Sequence, residues 1–257
     1  STQRAVAQPP APGGVPEKTG RWFQWIFPFT KPIWRGAARI VAVCEYTCAL
    51  ARQHYAVNPL VIPNGVDLKL RNPGRLRIHR PPVVIFAGRF TMQKNLIEMV
   101  KMLAVVQDLP WKCIMLGNGP LFDEVKRTIT TCGLDQRFYL SGWVTPAEVL
   151  AYLAQSDLLF MPSLSEGLSV VGVQALANGL AIVASRAGGF VDLVEPGRNG
   201  FLADSGDKEA LCGALRNLLS DREALLKARL ASRDLARRFD IQAVVDGYET
   251  IFREVRA

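Results

Sequence analysis

Residues 158–184 read LLFMPSLSEGLSVVGVQALANGLAIVA, and this stretch decides the fold of the chain. The apolar run at 158–161 predicts a buried strand, and the segment at 169–177 predicts a helix that ends at an Asn-Gly pair. A second apolar strand follows at 181–184. A strand, a helix and another strand, with both strands short and apolar on both faces, indicate a βαβ unit of a parallel sheet.

The same rhythm extends from this unit in both directions. Further strands are predicted at residues 83–87, 112–116, 138–140 and 200–202, with helices at 96–106, 121–131, 146–155 and 190–194. This alternation predicts an α/β domain with a doubly wound, Rossmann-like parallel sheet that helices cover on both faces. In such a sheet ligands bind beyond the carboxyl ends of the strands, so we expect the functional residues in the loops there.

The rest of the chain divides around this domain, which we assign to residues 83–235. Residues 1–20 are rich in Pro, Gly, Ala and Gln and predict a disordered arm, because they cannot bury a core. A segment of short elements at 21–66, a basic extended linker at 67–82 and a closing helix at 236–257 complete the predicted organisation. The other predicted elements are strands at 38–43 and 60–62 and helices at 45–54, 208–219, 222–238 and 241–255.

The 257 residues carry a formal net charge of +8, from 31 Lys and Arg against 23 Asp and Glu, and this charge is unevenly distributed. Residues 1–80 hold 12 basic and 3 acidic residues, whereas residues 81–257 hold 19 and 20. The near-neutral α/β part argues against a nucleic-acid-binding fold. The basic first third is interpreted as a surface for an acidic membrane or a lipid phosphate, or as a solvated linker with no partner.

Hydropathy, cysteine usage and histidine count exclude further classes of protein and site. No run approaches the ~18 apolar residues of a membrane span, so an integral membrane protein is not expected. The five cysteines show no paired spacing and fit a reducing compartment, which predicts a cytoplasmic protein. Two histidines allow no Ser-His-Asp arrangement, and neither a zinc spacing nor an Asp-x-Asp motif is present, so no metal is expected.

The loop after the first strand of the domain carries two cations, Arg89 and Lys94, behind Gly88. Gly88 lets a ligand approach the backbone, and the planar fork of Arg89 together with the mobile ammonium of Lys94 suits a diphosphate. The alternative is an ordinary solvated loop. The pattern Gly-x-x-x-x-Gly-Lys-Ser/Thr is absent, so this loop is not a P-loop.

After the second strand, Gly117-Asn118-Gly119-Pro120 gives half of a dinucleotide-binding fingerprint, but Phe122 stands where the third Gly belongs. No ribose-binding acid follows at the expected distance, so a nicotinamide cofactor is not expected. The alternative is a plain strand-to-helix turn, and this motif alone identifies no ligand.

The loop at residues 162–169 places Glu166 among small residues just before an apolar helix. Free amides at a helix N-terminus bind phosphate, and a carboxylate there can accept hydrogen bonds from sugar hydroxyls. Gln174 follows eight residues later, about two helical turns deeper. The alternative is that Glu166 only favours the start of the helix through the macrodipole.

Taken together, these loops resemble those of family 4 glycosyltransferases with the GT-B fold, over about residues 35–255. The matching segments are Gly88-Arg89-(x)4-Lys94-Asn95, Gly117-Asn118-Gly119-Pro120, Ser141-Gly142-Trp143-Val144, Pro162-Ser163-(x)2-Glu166-Gly167 and the run from Gln174 to Gly189. The segment that joins the two halves of that fold is similar to Pro63-Asn64-Gly65-Val66-Asp67.

The resemblance implies a retaining transfer of a sugar from a nucleotide-sugar donor to the hydroxyl of a glycan or lipid-linked acceptor, without a metal. It implies that the catalytic residues are Arg89, Lys94 and Glu166. Arg89 and Lys94 would hold the donor diphosphate and offset its charge as it leaves, and Glu166 would hold hydroxyls of the donor sugar. The other implied donor-binding positions are Gly88, Asn118, Gly119, Trp143, Val144, Gly167, Leu168, Ser169 and Gln174. Gln174 stands where the family has a second Glu. Because an amide can still form hydrogen bonds with ribose hydroxyls, we expect donor binding to be weakened or altered and not lost.

Residues 21–66 resemble only the tail of the N-terminal half that supplies the acceptor site in that family. The resemblance therefore implies a fragment, a truncated gene or a partner that supplies the missing half. The aromatic segment 22–34 holds three of the five Trp. We interpret it as a helix packed on that half, as a peripheral membrane contact through residues 21–35, or as an acceptor contact.

Two other functions stay open from the sequence. One is a non-catalytic nucleotide-sugar or partner-binding module that lacks the acceptor domain, and the other is a sugar-nucleotide epimerase of similar fold. An epimerase needs acid and base residues at the strand ends, and neither His54 nor His79 is predicted to lie there. The transferase and the binding module both bind a nucleotide sugar, so only sugar transfer separates them.

Overall fold

The structure is a computed structural model that describes residues 29–30, 32–70 and 76–256. The arm predicted at 1–20 lies outside the described residues. So do residues 22–28 and 31 of the aromatic segment and residues 71–75 of the predicted linker.

A six-stranded, fully parallel sheet forms the centre of the molecule. Its strands are β3 Val83–Ala87, β4 Lys112–Leu116, β5 Phe138–Leu140, β6 Leu158–Met161, β7 Ala181–Ser185 and β8 Gly200–Ala203. They lie in the order β5-β4-β3-β6-β7-β8, which is the strand order of a Rossmann fold. The predicted doubly wound α/β fold is confirmed.

Helices connect these strands and cover both faces of the sheet. They are α3 Leu96–Val105, α4 Phe122–Thr131, α5 Pro146–Ala154, α6 Val170–Ala177, α7 Phe190–Leu193, α8 Lys208–Ser220, α9 Arg222–Leu235 and α10 Ile241–Arg256. From β3 the chain winds outward through β4 to β5, and it then returns beside β3 and winds the other way from β6 to β8. Because parallel crossovers are right-handed, these opposite directions place α3 and α4 on one face and α6 and α7 on the other.

The core lies between the sheet and the two helical layers. Strands β6 and β7 are buried at every residue, as their sequences LLFM and AIVAS require of strands covered on both faces. Phe86, Phe90 and Phe160 are among the large side chains that are fully buried. Phe90 belongs to the loop after β3, so the core reaches the carboxyl edge of the sheet and anchors that loop.

A smaller unit precedes this sheet. Residues 32–36 form a short helix, α1, and are exposed. Strands β1 Val41–Ala42 and β2 Leu60–Val61 pair in parallel and are joined by helix α2 Glu45–Tyr55, which makes a single βαβ unit. The strand predicted over residues 38–43 is too long, because β2 offers only two partner residues.

A 3₁₀ turn at Ala236–Phe239 interrupts the helix predicted over residues 222–238, which is therefore also too long. The backbone of Val66 forms hydrogen bonds with residues at the end of this turn and just after it. Its N–H donates to the Phe239 carbonyl at 2.8 Å, and its carbonyl accepts from the Ile241 N–H at 3.1 Å. These partners come from a distant part of the chain, so a local helical pattern does not reveal the interruption.

Among the helices of the described ranges, none is both long and apolar enough to cross a membrane. The domain boundaries expected from the sequence, at 21–66, 67–82, 83–235 and 236–257, stay predictions.

Candidate functional site

Strands β3 and β6 lie side by side, and the chain leaves them toward opposite edges of the sheet. Diverging crossovers of this kind open a crevice beyond the carboxyl ends of the two strands. The loop at residues 88–95 begins there after β3 and holds Arg89 and Lys94, and the loop at 162–169 begins there after β6 and holds Glu166.

Three hydrogen bonds tie these two loops together. Gln93 Nε2 donates to the Ser165 carbonyl at 2.8 Å, and the Leu164 N–H donates back to the Gln93 carbonyl at 2.8 Å. Asn95 Nδ2 donates to the Pro162 carbonyl at 3.2 Å. Asn95 has a φ of 57°, a left-handed conformation that Asn tolerates better than most residues. The two loops therefore form one continuous wall of the crevice.

Lys94 and Glu166 meet where the loops join, with Nζ 2.5 Å from Oε1. Ser163 Oγ donates to the same Oε1 at 2.7 Å. The side chain of Glu166 is 8% exposed and that of Lys94 is 17% exposed, so both are largely withdrawn from water. Glu166 Oε2 accepts no hydrogen bond from any described residue. One carboxylate oxygen is thus fixed by the protein, and the other is left for a ligand.

Several donors beside this pair also lack acceptors within the described ranges. The backbone amides of Gly167, Leu168 and Ser169 make no hydrogen bond there, and the Ser169 hydroxyl caps α6 by accepting from the Gly172 N–H at 3.1 Å. Arg89 is exposed and pairs with no carboxylate of these residues. Free amides at a helix start and an unpaired guanidinium are a suitable environment for an anion.

The loop after β4 approaches the loop after β3 too closely for side chains at two of its glycines. A Cβ on Gly117 would lie 2.0 Å from the Gly88 carbonyl oxygen, and one on Gly119 would lie 2.6 Å from the Phe90 carbonyl oxygen. The Phe90 N–H donates to the Asn118 carbonyl at 2.9 Å. Glycine is needed here for backbone-to-backbone packing, which forms the floor of the crevice next to Arg89.

Asn118 turns its side chain onto its own loop, where Oδ1 accepts from the Gly119 N–H at 2.7 Å. Trp143 and Val144 follow β5, which is joined to this floor by a hydrogen bond of 2.9 Å from the Gly117 N–H to the Gly142 carbonyl. Trp143 is 75% exposed, whereas Val144 packs against the core. The exposed indole is available to stack on a flat ring.

Gln174 lies within α6 and is half-buried. Its backbone carbonyl accepts from the N–H of Asn178 at 3.0 Å and from Asn178 Nδ2 at 2.9 Å. Its side chain makes no hydrogen bond to Glu166 or to any other residue in the part of the chain that the structure describes. The structure therefore joins Lys94 to Glu166 directly and leaves Gln174 and Arg89 outside that pair.

Sequence reasoning missed two supports of the Glu166 loop. Gly188 follows β7 with a φ of 55°, and a Cβ there would lie 1.8 Å from the Glu166 carbonyl oxygen. Asn64 Nδ2 donates to the Leu168 carbonyl at 3.1 Å. A Gly-Gly pair after an apolar strand is visible in the sequence as a signal of close packing, but no local pattern predicts a contact between residues 104 positions apart.

The described residues contain no group of three or more His, Cys, Asp or Glu side chains that could hold a metal ion. The sequence expectation that the site needs no metal or other cofactor stays a prediction. The chemistry available in the crevice comes from one carboxylate, two cations and a set of free amides.

Comparison with known proteins decides the family. The family model described as "Glycosyl transferases group 1" matches residues 71–235, which is more than half of the chain and includes both loops of the crevice. The chain belongs to this glycosyltransferase family. The resemblance to glycosyltransferases found in the loop motifs is thereby confirmed.

Curated relatives of this glycosyltransferase chain are about twice as long as the part they share with it. Sulfoquinovosyl transferase SQD2 of Arabidopsis thaliana is 31% identical over 245 residues, a match that covers 86% of this chain and 46% of that protein. The MMP alpha-(1->4)-mannosyltransferase of Mycolicibacterium hassiacum is 29% identical over 207 residues, covering 77% and 49%. The chain thus spans about half the length of the curated relatives it matches.

Solved structures of other proteins share the fold. Sucrose-phosphate synthase from Thermosynechococcus elongatus matches with a TM-score of 0.82 at 21% identity, covering 94% of this chain and 64% of that one. Anabaena Alr3699/HepE in complex with UDP-glucose matches with a TM-score of 0.78 at 22% identity, covering 92% and 69%. At 21% and 22% identity, the likeness shows that this chain has the same fold as these two proteins.

Proposed function

We propose that this chain is the donor-binding half of a retaining glycosyltransferase, which moves a sugar from a nucleotide sugar to a hydroxyl of a glycan or lipid-linked acceptor. The observation that carries the proposal is the Lys94–Glu166 pair, which lies at the switch point of the sheet in a chain of this family. The complexes of HepE, a protein of the same fold, with UDP and with UDP-glucose support it.

The donor diphosphate would bind beside Arg89 and Lys94, over the free amides of Gly167, Leu168 and Ser169. When the bond between the sugar and the diphosphate breaks, negative charge develops on the leaving oxygen. Cations and amides whose positions are already fixed by hydrogen bonds stabilise such charge without rearranging, and this kind of stabilisation contributes most to many enzymatic rates. In this proposal the protein alone would compensate the charge, so the reaction would need no metal.

The donor sugar would lie against Glu166. Oε1 of Glu166 accepts hydrogen bonds from Lys94 and Ser163. Oε2 of Glu166, which accepts none from the described residues, would accept a hydrogen bond from a sugar hydroxyl. Because the same carboxylate touches Lys94, the sugar and the diphosphate are bound by one connected group of side chains. A carboxylate that is fixed in direction gives the sugar one orientation relative to the bond that breaks.

The nucleoside would occupy the other end of the crevice. The exposed Trp143 with Val144 would flank the base, and the side chain of Gln174 would hold ribose hydroxyls. Gly88, Asn118 and Gly119 would let the ligand approach the backbone of the floor. None of these groups distinguishes one base from another, so the proposal covers UDP, GDP and ADP sugars alike.

The acceptor site belongs, in this proposal, to a further α/β half outside the described structure. The small unit of β1, α2 and β2 presents a sheet of two strands, which is too small to fold alone, and Leu60 on β2 is 46% exposed. Phe29, Ile33 and Trp34 are also exposed. In this proposal the further half packs on these exposed residues. If the acceptor lies in a membrane, residues 21–35 would contact the membrane surface, and the protein would be cytoplasmic and peripherally bound.

Calorimetric titration in the presence of EDTA tests the donor site. We expect one of UDP-, GDP- or ADP-glucose to bind the chain, and Lys94→Ala to weaken that binding and the binding of the free nucleotide by about tenfold or more, since it removes a charged hydrogen bond. Lys126→Ala removes a lysine from the exposed surface of α4 and is the matched control. The proposal fails if no nucleotide binds or if both variants bind like the parent chain.

Sugar transfer separates the transferase from a non-catalytic binding module. Radiolabelled donor is incubated with glycan and lipid acceptors and with the chain, alone and joined to the N-terminal half of a relative. Transfer that Glu166→Gln abolishes supports the enzyme. Donor binding without transfer or donor hydrolysis in either form supports the module.

A further inference from the structure

A cavity of about 560 Å³ opens at the amino-terminal ends of the strands, whereas the crevice lies at their carboxyl ends. It lies between the residues that precede β3, β4 and β5 and the junction of α8 with α9. Five-residue strands such as β3 span about 17 Å, so a ligand in this cavity and a donor in the crevice would not touch. Nothing in the proposed donor chemistry uses this cavity.

The floor of the cavity is apolar. Trp111 is 2% exposed and lines it together with Pro81, Leu218 and Leu225. The indole N–H of Trp111 already donates to the Val106 carbonyl at 2.8 Å, so the ring has no free polar group to offer. A ligand that covers this floor needs an apolar body, because a polar group placed there would lose its hydrogen bonds to water.

The rim of the cavity is cationic. Arg80, Lys112, Arg137 and Arg222 line it, and no carboxylate does among the described residues. None of these four cations forms an ion pair with a described carboxylate. Nearby Asp221 is already committed, since its side chain accepts from the first amides of α9. Of the four, Arg137 also interacts electrostatically with Asp108, but that carboxylate is already paired with Arg216. Within the described ranges the rim therefore keeps a net positive charge.

Two of these cations, Arg137 and Arg222, are fixed in place, and Arg222 donates to the Ile78 carbonyl at 3.1 Å. Arg137 donates to the carbonyls of Leu109 at 2.6 Å and Gln107 at 2.8 Å, and its guanidinium lies 4.9 Å from the ring centroid of Trp111. These contacts hold a positive charge directly beside the apolar floor. An anionic head bound there would not have to order this side chain, which lowers the entropic cost of binding.

We propose that this cavity binds a small organic anion, with a phosphate or carboxylate head on an aliphatic body. Its volume lies within the ~300–1,000 Å³ of small-molecule sites. The head would bind beside the fixed Arg137 and would pair also with Arg80 and Lys112 at the exposed rim. The aliphatic body would cover Trp111 and Leu225. This site is separate from the donor crevice and goes beyond the proposed transfer reaction.

The indole ¹⁵N–¹H resonance of Trp111, assigned with a Trp111→Phe variant, reports on the cavity directly. We expect octyl phosphate below its micelle concentration to shift this resonance in a saturable way. Octyl glucoside, with the same body and no charge, and inorganic phosphate, with the charge and no body, should not shift it at the same concentration. An equal response to octyl glucoside would overturn the proposal.

Two variants test the charges. Arg80→Gln combined with Lys112→Gln should weaken octyl phosphate binding at least tenfold, whereas Lys126→Gln with Arg127→Gln removes the same charge from the exposed surface of α4 and should not. Ser220→Glu adds an acid at the rim and should weaken binding as well. Melting temperatures within a few degrees of the parent show that the variants fold.

Equal loss in the control pair would show a general effect of charge and refute the site. A response of Trp111 to vesicles of phosphatidic acid without any response to octyl phosphate would make the rim a membrane contact, and would also refute it. UDP-sugar affinity should stay unchanged in Arg80→Gln with Lys112→Gln, which keeps this test independent of the donor site.

Discussion

Two buried pairs of a cation and a carboxylate lie at opposite ends of the strands of the same sheet, and the hydrogen bonds around the two pairs differ. At the amino edge, Arg229 pairs with Asp157, and the two side chains are 3% and 0% exposed. Asp157 also accepts from the backbone amides of Val83 at 2.8 Å and His79 at 3.3 Å. Arg229 also donates to the Gly179 carbonyl at 2.6 Å.

The Lys94–Glu166 pair at the carboxyl edge is nearly as buried, but it is incompletely bonded. Glu166 uses one oxygen for Lys94 and Ser163, and its Oε2 has no partner among the described residues. A pair whose groups are all bonded within the protein holds the fold together. A pair that keeps free bonding positions next to a crevice can exchange part of its contacts for a ligand. The difference in bonding, more than the depth of burial, separates the structural pair from the pair that we propose binds a ligand.

Arg229→Met should have the largest effect on stability, because it leaves the Asp157 carboxylate buried and unpaired. We expect a loss of about 3–5 kcal/mol in the free energy of unfolding, measured with urea. Adding Asp157→Asn should restore part of this loss, since it removes the unpaired charge. Arg216→Met breaks the exposed pair with Asp108 and should cost at most about 1 kcal/mol. Equal losses for Arg229 and Arg216 would contradict a structural role for the amino-edge pair.

Glu166→Gln should affect ligand binding more than folding. The amide oxygen still accepts from Ser163, so we expect the free energy of unfolding to change by less than about 1 kcal/mol. Affinity for the nucleotide sugar should fall by about ten- to a hundredfold, as expected for the loss of a charged hydrogen bond. Affinity for the free nucleotide should stay nearly constant, because Glu166 contacts the sugar. Calorimetry with both ligands measures this, and a parallel loss for both would contradict the assignment of Glu166 to the sugar.

Gly188→Ala tests how the Glu166 loop is supported. Its φ of 55° and the 1.8 Å approach to the Glu166 carbonyl oxygen leave no room for a Cβ, so we expect a loss of about 1–3 kcal/mol. Donor affinity should fall with it because the loop shifts. Gly213→Ala, in an open position on α8, should be neutral or stabilising by up to about 1 kcal/mol. Melting curves of the two variants provide the comparison, and similar curves would refute the packing argument.

Asp192→Asn should give the smallest effect, and it should depend on pH. Burial raises the pKa of Asp192 above its ordinary value, although the carboxylate accepts from the Glu45 N–H at 3.0 Å. A carboxyl with a raised pKa contributes stability that is fully present below its unfolded pKa and is lost as the pH rises through its folded pKa. The Asn variant, which keeps the acceptor, should therefore melt slightly higher than the parent at pH 7.5.

The advantage of Asp192→Asn should shrink as the pH falls toward 4. Asp204→Asn, at an exposed position with a 3.8 Å contact to Arg186, is the control and should show no such trend. If the Asp192 variant melts lower than the parent at pH 7.5, the ionised carboxylate is needed to hold α2, and the sign of this prediction is wrong.

The sequence predicts the candidate site as far as the loops that carry it. Apolar runs that end in Gly88-Arg89 and in Pro162-Ser163 mark strand ends, and the rule for parallel sheets brings strand ends to one edge. The rule does not say which side chains meet there. Lys94 and Glu166 are 72 positions apart, and their contact depends on the adjacency of β3 and β6, which are not consecutive strands.

Local sequence patterns also fail to show which polar residues form buried hydrogen bonds and ion pairs. His79 falls within the predicted linker at 67–82, and its side chain is 42% exposed. Its Nδ1 nevertheless lies 3.1 Å from the buried carboxylate of Asp157. Asp157 itself looks like an ordinary turn residue before a strand. Its role follows only from Arg229, on a helix that packs across the sheet from a distant part of the chain.

By itself, the sequence determined most of the secondary structure, the parallel class of the sheet and the resemblance of the loops to those of glycosyltransferases. These properties depend on apolar periodicity and on residue types within a few positions of each other. Tertiary structure decided which carboxylate oxygen is free, where the helix over residues 222–238 is interrupted, and that four cations surround one apolar cavity. Those features depend on contacts between distant segments, which form only when burial of the shared core fixes the strand order.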